Sequence, residues 1–183
     1  STSSQITLYE NMEKAAKALQ TSVKDLQNIN LGTDTDKEDT QDSIKKKLFE
    51  QIDEFAGDYN SLYKSLDQAG GTTNTMFQKQ LKALFTTNQK NLAEIGITMD
   101  AKGTLSIDSK TLEAADVDKL QKIFCDKDSF AARVSDKCET IKSCANSTIK
   151  VLNRMYGTQT AYNRYGTNGY YYGSSGSRYN AKS

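Results

Sequence analysis

Apolar residues recur every three or four positions over most of this chain, and that spacing predicts helices. Between residues 5 and 31, Leu8, Ala15, Ser22 and Ile29 share one heptad position, and Met12, Leu19 and Leu26 share another. A seven-residue repeat in an Ala/Lys/Gln-rich stretch marks an amphipathic helix packed lengthwise on a partner. Gly32 offers its stop. A second stripe, Ile44, Leu48, Ile52, Phe55, Tyr59, Leu62 and Leu66, steps by fours and threes over 43–69 and meets Gly70-Gly71. Thr72, Thr73 and Asn74 then offer N-caps for a third helix over 73–95, with Phe77, Leu81, Leu84, Asn88, Leu92 and Ile95 inward. Asn88 suits a wet edge of that seam.

The period then changes. Ile97-Thr98-Met99 and Thr104-Leu105-Ser106-Ile107 alternate apolar and polar, joined by Asp100-Ala101-Lys102-Gly103. Alternation predicts two short strands, and Gly103 supplies the positive φ that such a connection requires. An isolated two-stranded hairpin is marginal in water, so Ile97, Met99, Leu105 and Ile107 should lean on helices. Asp108 or Ser109 caps a fourth helix over 109–124, with Leu112, Ala115, Leu120 and Ile123 inward. A fifth, over 128–155, carries Phe130, Val134, Cys138, Ile141, Ala145, Thr148, Leu152 and Met155 at heptad spacing. The predicted fold is mainly α: an elongated bundle of amphipathic helical hairpins with one small β-hairpin near 97–107.

Composition sharpens the picture at both ends. Residues 156–183 hold seven of the ten tyrosines, five glycines, three basic residues and no acid. Without aliphatic residues such a segment buries too little to offset its ordering entropy, so 1–156 reads as one helical domain and 157–183 as a flexible tail. Leu, Ile, Val and Phe make up just under a fifth of the chain, and the net charge is only +1, so the core is thin and its pattern must do the specifying. The absence of Pro fits long helices.

Candidate chemistry is sparse. With no His, the commonest general base and metal ligand is missing, as are Ser-His and Cys-His nucleophile pairs. No clustered acid–base constellation or phosphate-cradling Gly loop appears, so no enzyme, cofactor or metal is expected. Asp34, Asp36, Glu38, Asp39 and Asp42 crowd one link, but the glycine and terminal Glu of an EF-hand loop are absent. Carboxylates ahead of a helix also favour its positive end. A Cys125–Cys138 bridge and three ordinary thiols both fit the spacing of Cys125, Cys138 and Cys144. No run approaches a membrane span, and four charges spread over the last 30 residues make too feeble a patch for nucleic acid.

One stretch is specific. Leu92-Ala-Glu-Ile95-Gly96-Ile97, a five-residue gap, Gly103-x-Leu105-x-Ile107-Asp108 and Leu112 together resemble the carboxy-terminal part of the bacterial flagellar filament-capping, or hook-associated, family. Val117-Asp-Lys-Leu120-Gln-Lys-Ile123-Phe124 resembles the family's helix end after that hairpin, and Phe130-Ala-Ala-Arg133-Val134 resembles the start of its next long helix. Phe55-x3-Tyr59-Asn60-x-Leu62-x3-Leu66 is similar to the helix that precedes the family's Gln-Leu helix, here Gln80-Leu81. The resemblance covers residues 48–142. The family's β-rich plate domains and its amino-terminal signature are not seen, which a reduced relative, a fragment and a reused module would all explain.

The resemblance implies a non-catalytic structural protein, exported without a cleaved signal peptide to the extracellular flagellum. There the helical part oligomerises with copies of itself and contacts flagellin or other hook-associated proteins. Phe55, Tyr59, Leu62, Leu66, Leu92, Ile95, Ile97, Leu105, Ile107 and Phe124 are the expected packing and assembly residues, and Asp100 and Gly103 the hairpin turn. Each of the ten also reads as intramolecular core. The alternative is a surface binding or adhesion module whose tail makes contacts through Tyr165, Tyr170, Tyr171 and Tyr172, since Tyr offers stacking area and a hydroxyl at low entropic cost.

Overall fold

The structure is a computed structural model that describes residues 1–29 and 38–165, with side chains described over 1–29 and 41–155. Its elements are α1 (Thr2–Gln27), α2 (Glu38–Ala69), α3 (Gly71–Thr87), α4 (Gln89–Glu94), β1 (Ile97–Met99), β2 (Leu105–Ile107), α5 (Ser109–Ala114), α6 (Val117–Phe124) and α7 (Phe130–Tyr165). The fold is mainly α with one small antiparallel hairpin. The expected stop at Gly32 and most of the acidic link lie outside the described residues.

α1 packs lengthwise against both α2 and α7. Two partners demand a wider apolar face than one seam, and that is how α1 is built. Met12, Leu19, Ser22 and Leu26 are buried, but so are Ala16 and Val23, while Leu8 and Ala15 are only half-buried. The directions follow from the contacts. Ser22 bonds Asp58 midway along α2, whereas Tyr9 meets Asn74 just past the end of α2, so α1 and α2 are antiparallel. Phe130 at the start of α7 touches Phe55, and Cys138 lies near Tyr59, so α7 runs with α2 and against α1.

Two predicted helices are each broken in two. The third breaks at Asn88 (φ −108°, ψ 8°), whose side-chain nitrogen donates to the Leu84 carbonyl at 2.9 Å. Asn competes with the helix ladder by bonding nearby backbone, and here it ends α3 and begins α4 on the half-buried edge. The fourth breaks at Ala115, which is extended (ψ 148°), because Asp116 caps a new helix by accepting from the Asp118 N–H. The cap of α3 is also corrected. Gly70, not Thr72, Thr73 or Asn74, holds that position, and Asn74 is buried one turn in, donating to the Gly70 carbonyl and the Tyr9 hydroxyl. Asp108 caps α5 as expected, accepting from the Thr111 N–H at 3.1 Å.

The last helix begins at Phe130 and runs ten residues past its predicted end, so residues 157–165, expected in the tail, are helical. Met155, expected inward, is exposed, and Leu152 is half-buried. At 100° per residue Met155 falls at the edge of the stripe that Ile141, Ala145 and Leu152 define.

Candidate functional site

The stretch that carries the family resemblance folds into a hairpin locked onto the bundle. In the register, Ile97 faces Ile107, Thr98 faces Ser106, and Met99 faces Leu105. Asp100 N–H donates to the Thr104 carbonyl and Asp108 N–H to the Gly96 carbonyl, so the hydrogen-bonded rungs are the even-numbered pairs. The backbone groups of Leu105 therefore point away from β1. Asn60, on α2, takes both. Its Nδ2 donates to the Leu105 carbonyl at 3.0 Å, and its Oδ1 accepts from the Leu105 N–H at 2.8 Å. One side-chain amide thus completes the outer edge of β2 as a third strand would.

The turn is fixed as tightly. Asp100 Oδ1 accepts from the N–H groups of Lys102 and Thr104, both at 2.9 Å, and the Gly103 N–H donates to the Asp100 carbonyl. Gly103 has φ +88°, and a Cβ there would lie 2.5 Å from the Tyr63 ring. Gly96 is constrained similarly, with φ +89° and a virtual Cβ 2.8 Å from the Asp108 carbonyl. Only glycine meets both demands at these two positions. Tyr63 itself stacks on Tyr59, and burial, then Asp67 and Asp100, push its hydroxyl pKa up.

Of the ten expected packing and assembly residues, Phe55, Tyr59, Leu62, Leu66, Leu92, Ile95, Ile97, Leu105 and Phe124 are buried in one intramolecular cluster, and Ile107 is half-buried against it. Phe55 is its joint: its ring meets Phe124 at 5.4 Å and Phe130 at 6.0 Å, both edge to face, tying α2 to α6 and α7. The hairpin leans on α2 through β2 and, through β1, on α4, the second half of the predicted third helix. Asp100 and Gly103 form the turn. Tyr165 ends α7, its side chain outside the described part, and Tyr170, Tyr171 and Tyr172 lie outside the described residues.

Asn60, Tyr63 and Gly96 are the residues that sequence reasoning passed over. Asn60 had a signal: a poor helix former in mid-helix, at the margin of an apolar stripe.

Reactive groups are subdued. The cysteines are free. Burial, then Glu139, pushes the Cys138 thiol up to about 12, and burial, then Asp126, pushes Cys125 up to about 11. Across the α1–α7 seam, Gln20 donates to Glu139 at 2.8 Å and accepts from Lys142 at 3.2 Å, while Lys142 pairs with Glu139 at 2.8 Å. The Gln20 bond, with Lys142, holds the Glu139 carboxyl below its ordinary range. Among the described residues no group of three or more His, Cys, Asp or Glu could hold a metal, and no helix is long and apolar enough to cross a membrane.

Buried apolar joints and a clamped hairpin, with thiols held protonated, define a helical structural module. Residues 69–167, just over half the chain, match the family described as flagellar hook-associated protein 2 C-terminus, and the chain belongs to that family. Its role is accordingly a structural one in the flagellar cap. The match takes in α3 to α7 and the hairpin, whereas Asn60 and Phe55 on α2 lie upstream of it. Neither the curated proteins nor the solved structures provide a match.

Proposed function

We propose that this chain is a non-catalytic assembly subunit of the extracellular flagellum, in which the helical module associates with further copies of itself and contacts flagellin. The observation that supports this is where the family match falls: on the hairpin, with its two tightly constrained glycines Gly96 and Gly103, and on the helices around it. Tight backbone constraints suit a part that must present one fixed shape to its neighbours. Export as an unfolded chain suits the thin core and the free thiols.

The test is native mass spectrometry of the full chain over a range of concentrations, together with co-sedimentation on flagellin filaments. The expected result is a discrete oligomer and binding at filament ends that Gly103→Val abolishes. A chain that stays monomeric and fails to bind flagellin would overturn the reading.

A further inference from the structure

A small cleft opens between α4 and α6, and an ion pair closes one half of it. The Lys119 Nζ reaches from α6 to the end of α4 and donates to the Glu94 carboxylate at 3.1 Å. Asn91 precedes Glu94 by three residues on α4, and Lys122 follows Lys119 by three on α6. Residues three apart share a helix face, so each helix lends two side chains to the same side. All four line the cleft, which has a volume of about 220 Å³. Ile123, almost fully buried, supplies the apolar part of the lining.

The two halves of the cleft differ in chemistry. At Glu94 and Lys119 a carboxylate already meets an ammonium. At Asn91 and Lys122 an amide stands where the other half has its carboxylate, so both side chains offer donors and neither brings a negative charge. Among the described residues the Asn91 amide makes no hydrogen bond, and Lys122 makes neither a hydrogen bond nor an ion pair. One carboxylate and two ammonium groups leave the cleft with a single uncompensated cation, and it sits beside the free amide.

We infer that this open half captures the side-chain carboxylate of a glutamate on a partner polypeptide. Its oxygens accept from Lys122 Nζ and Asn91 Nδ2, repeating with an incoming group the bond that Lys119 makes to Glu94 within the chain. Hydrogen bonds to an ionised acceptor are shorter and stronger than neutral ones, which favours a carboxylate over an amide here. The dimensions suit a single side chain rather than a folded element. Ile123 favours glutamate in particular, because the methylene stem can lie on apolar surface while the charged head reaches the donors. A backbone-terminal carboxylate has no such stem. The inference stands apart from the flagellar reading, since it names the group captured and not the protein that carries it.

Titrating the isotope-labelled full chain with the peptide acetyl-Gly-Glu-Gly-amide, followed by two-dimensional NMR, tests it. The Asn91 side-chain amide and the backbone signals of Lys122 and Ile123 should shift progressively at low salt. At about 1 M salt, where the Debye length is about 3 Å, those shifts should shrink. Lys122→Gln should weaken binding about fivefold, the upper end for an exposed ion pair. Lys127→Gln removes an equally exposed charge that does not line the cleft, so it should leave binding unchanged. Thermal melts check that both variants keep the fold. Equal shifts with acetyl-Gly-Gln-Gly-amide, or no shift at Asn91, would overturn the inference. So would equal weakening by the two lysine variants, which would reduce the effect to general attraction to a positive surface. Acetyl-Gly-Gly-Gly with a free terminal carboxylate should bind more weakly, and equal binding would overturn the assignment to a side chain.

Discussion

At the residue scale the hairpin depends on two decisions, a side chain that lies outside it and a position that must have no side chain. Asn60 is the first. Removing its amide leaves the N–H and carbonyl of Leu105 unpaired beside the core, where Leu105 is only 5 % exposed. An unsatisfied buried group costs about 1–3 kcal/mol, so Asn60→Ala should lower stability by that amount in urea unfolding. Asn60→Asp should not restore it, because a carboxylate cannot donate to the Leu105 carbonyl. Gly103→Ala tests the second decision. A residue forced into the left-handed region costs on the order of 1–3 kcal/mol, and here its Cβ also collides with the Tyr63 ring. Thermal unfolding of Gly103→Ala alone and combined with Tyr63→Ala separates the two effects: relief in the double variant measures the collision. The buried thiol makes a chemical prediction. With Cys138 held protonated up to about pH 12, its alkylation at pH 8 should wait for unfolding. The sign for stability is fixed as well. A thiol pKa raised in the folded state means that stability falls as pH rises from the unfolded value of about 8.5 toward the folded one.

At the element scale, periodicity located every helical segment and the hairpin, but it could not see where a helix would restart. Asn88 and Asp116 each occupy positions where the apolar stripe continues in phase, so the pattern runs straight through both breaks. What ends the helix is local hydrogen bonding by Asn and Asp side chains, and a hydropathy stripe carries no trace of that. The same limit hid the Asn60 clamp, because its partner is a backbone 45 residues away. Face width was missed for another reason. A heptad describes one seam, and α1 has two, so Ala16 and Val23 joined the core without being on the repeat. The seam with α7 is sensitive to pH. Gln20 and Lys142 keep Glu139 ionised below its usual range, so the contribution of this cluster is present above that range and lost as pH falls through it. Glu139→Gln should therefore flatten the acid limb of the stability profile without moving the alkaline limb, as followed by thermal melts from pH 7 to 3.

At the scale of the whole molecule, the core and the family were legible for the same reason: most of the large apolar residues that carry the resemblance are ones that the fold buries. Nine of the ten expected packing and assembly residues lie in one cluster with Phe55 at its joint. The surface is where sequence reasoning ran out, since exposure at Met76, Val151 and Met155 depends on where neighbouring helices begin and end. This division supplies a test that separates folding from assembly. Ile97→Ala and Leu105→Ala each remove a buried side chain that braces the hairpin, and such truncations cost about 2–5 kcal/mol. Both variants should melt well below the parent chain and lose flagellin binding with it. Tyr171→Ala leaves every residue of that cluster unchanged, so it should leave the melting temperature within a few degrees of the parent and leave flagellin binding intact. Leu105→Ala assayed at low temperature, where it remains folded, completes the comparison. If the hairpin only supports the fold, flagellin binding returns on cooling. If its shape forms part of the contact, binding stays weak while circular dichroism reports a restored helical bundle. The opposite pattern, a fully active Leu105→Ala beside an inactive Tyr171→Ala, would move the contact from the clamped hairpin to the chain's tyrosine-rich end.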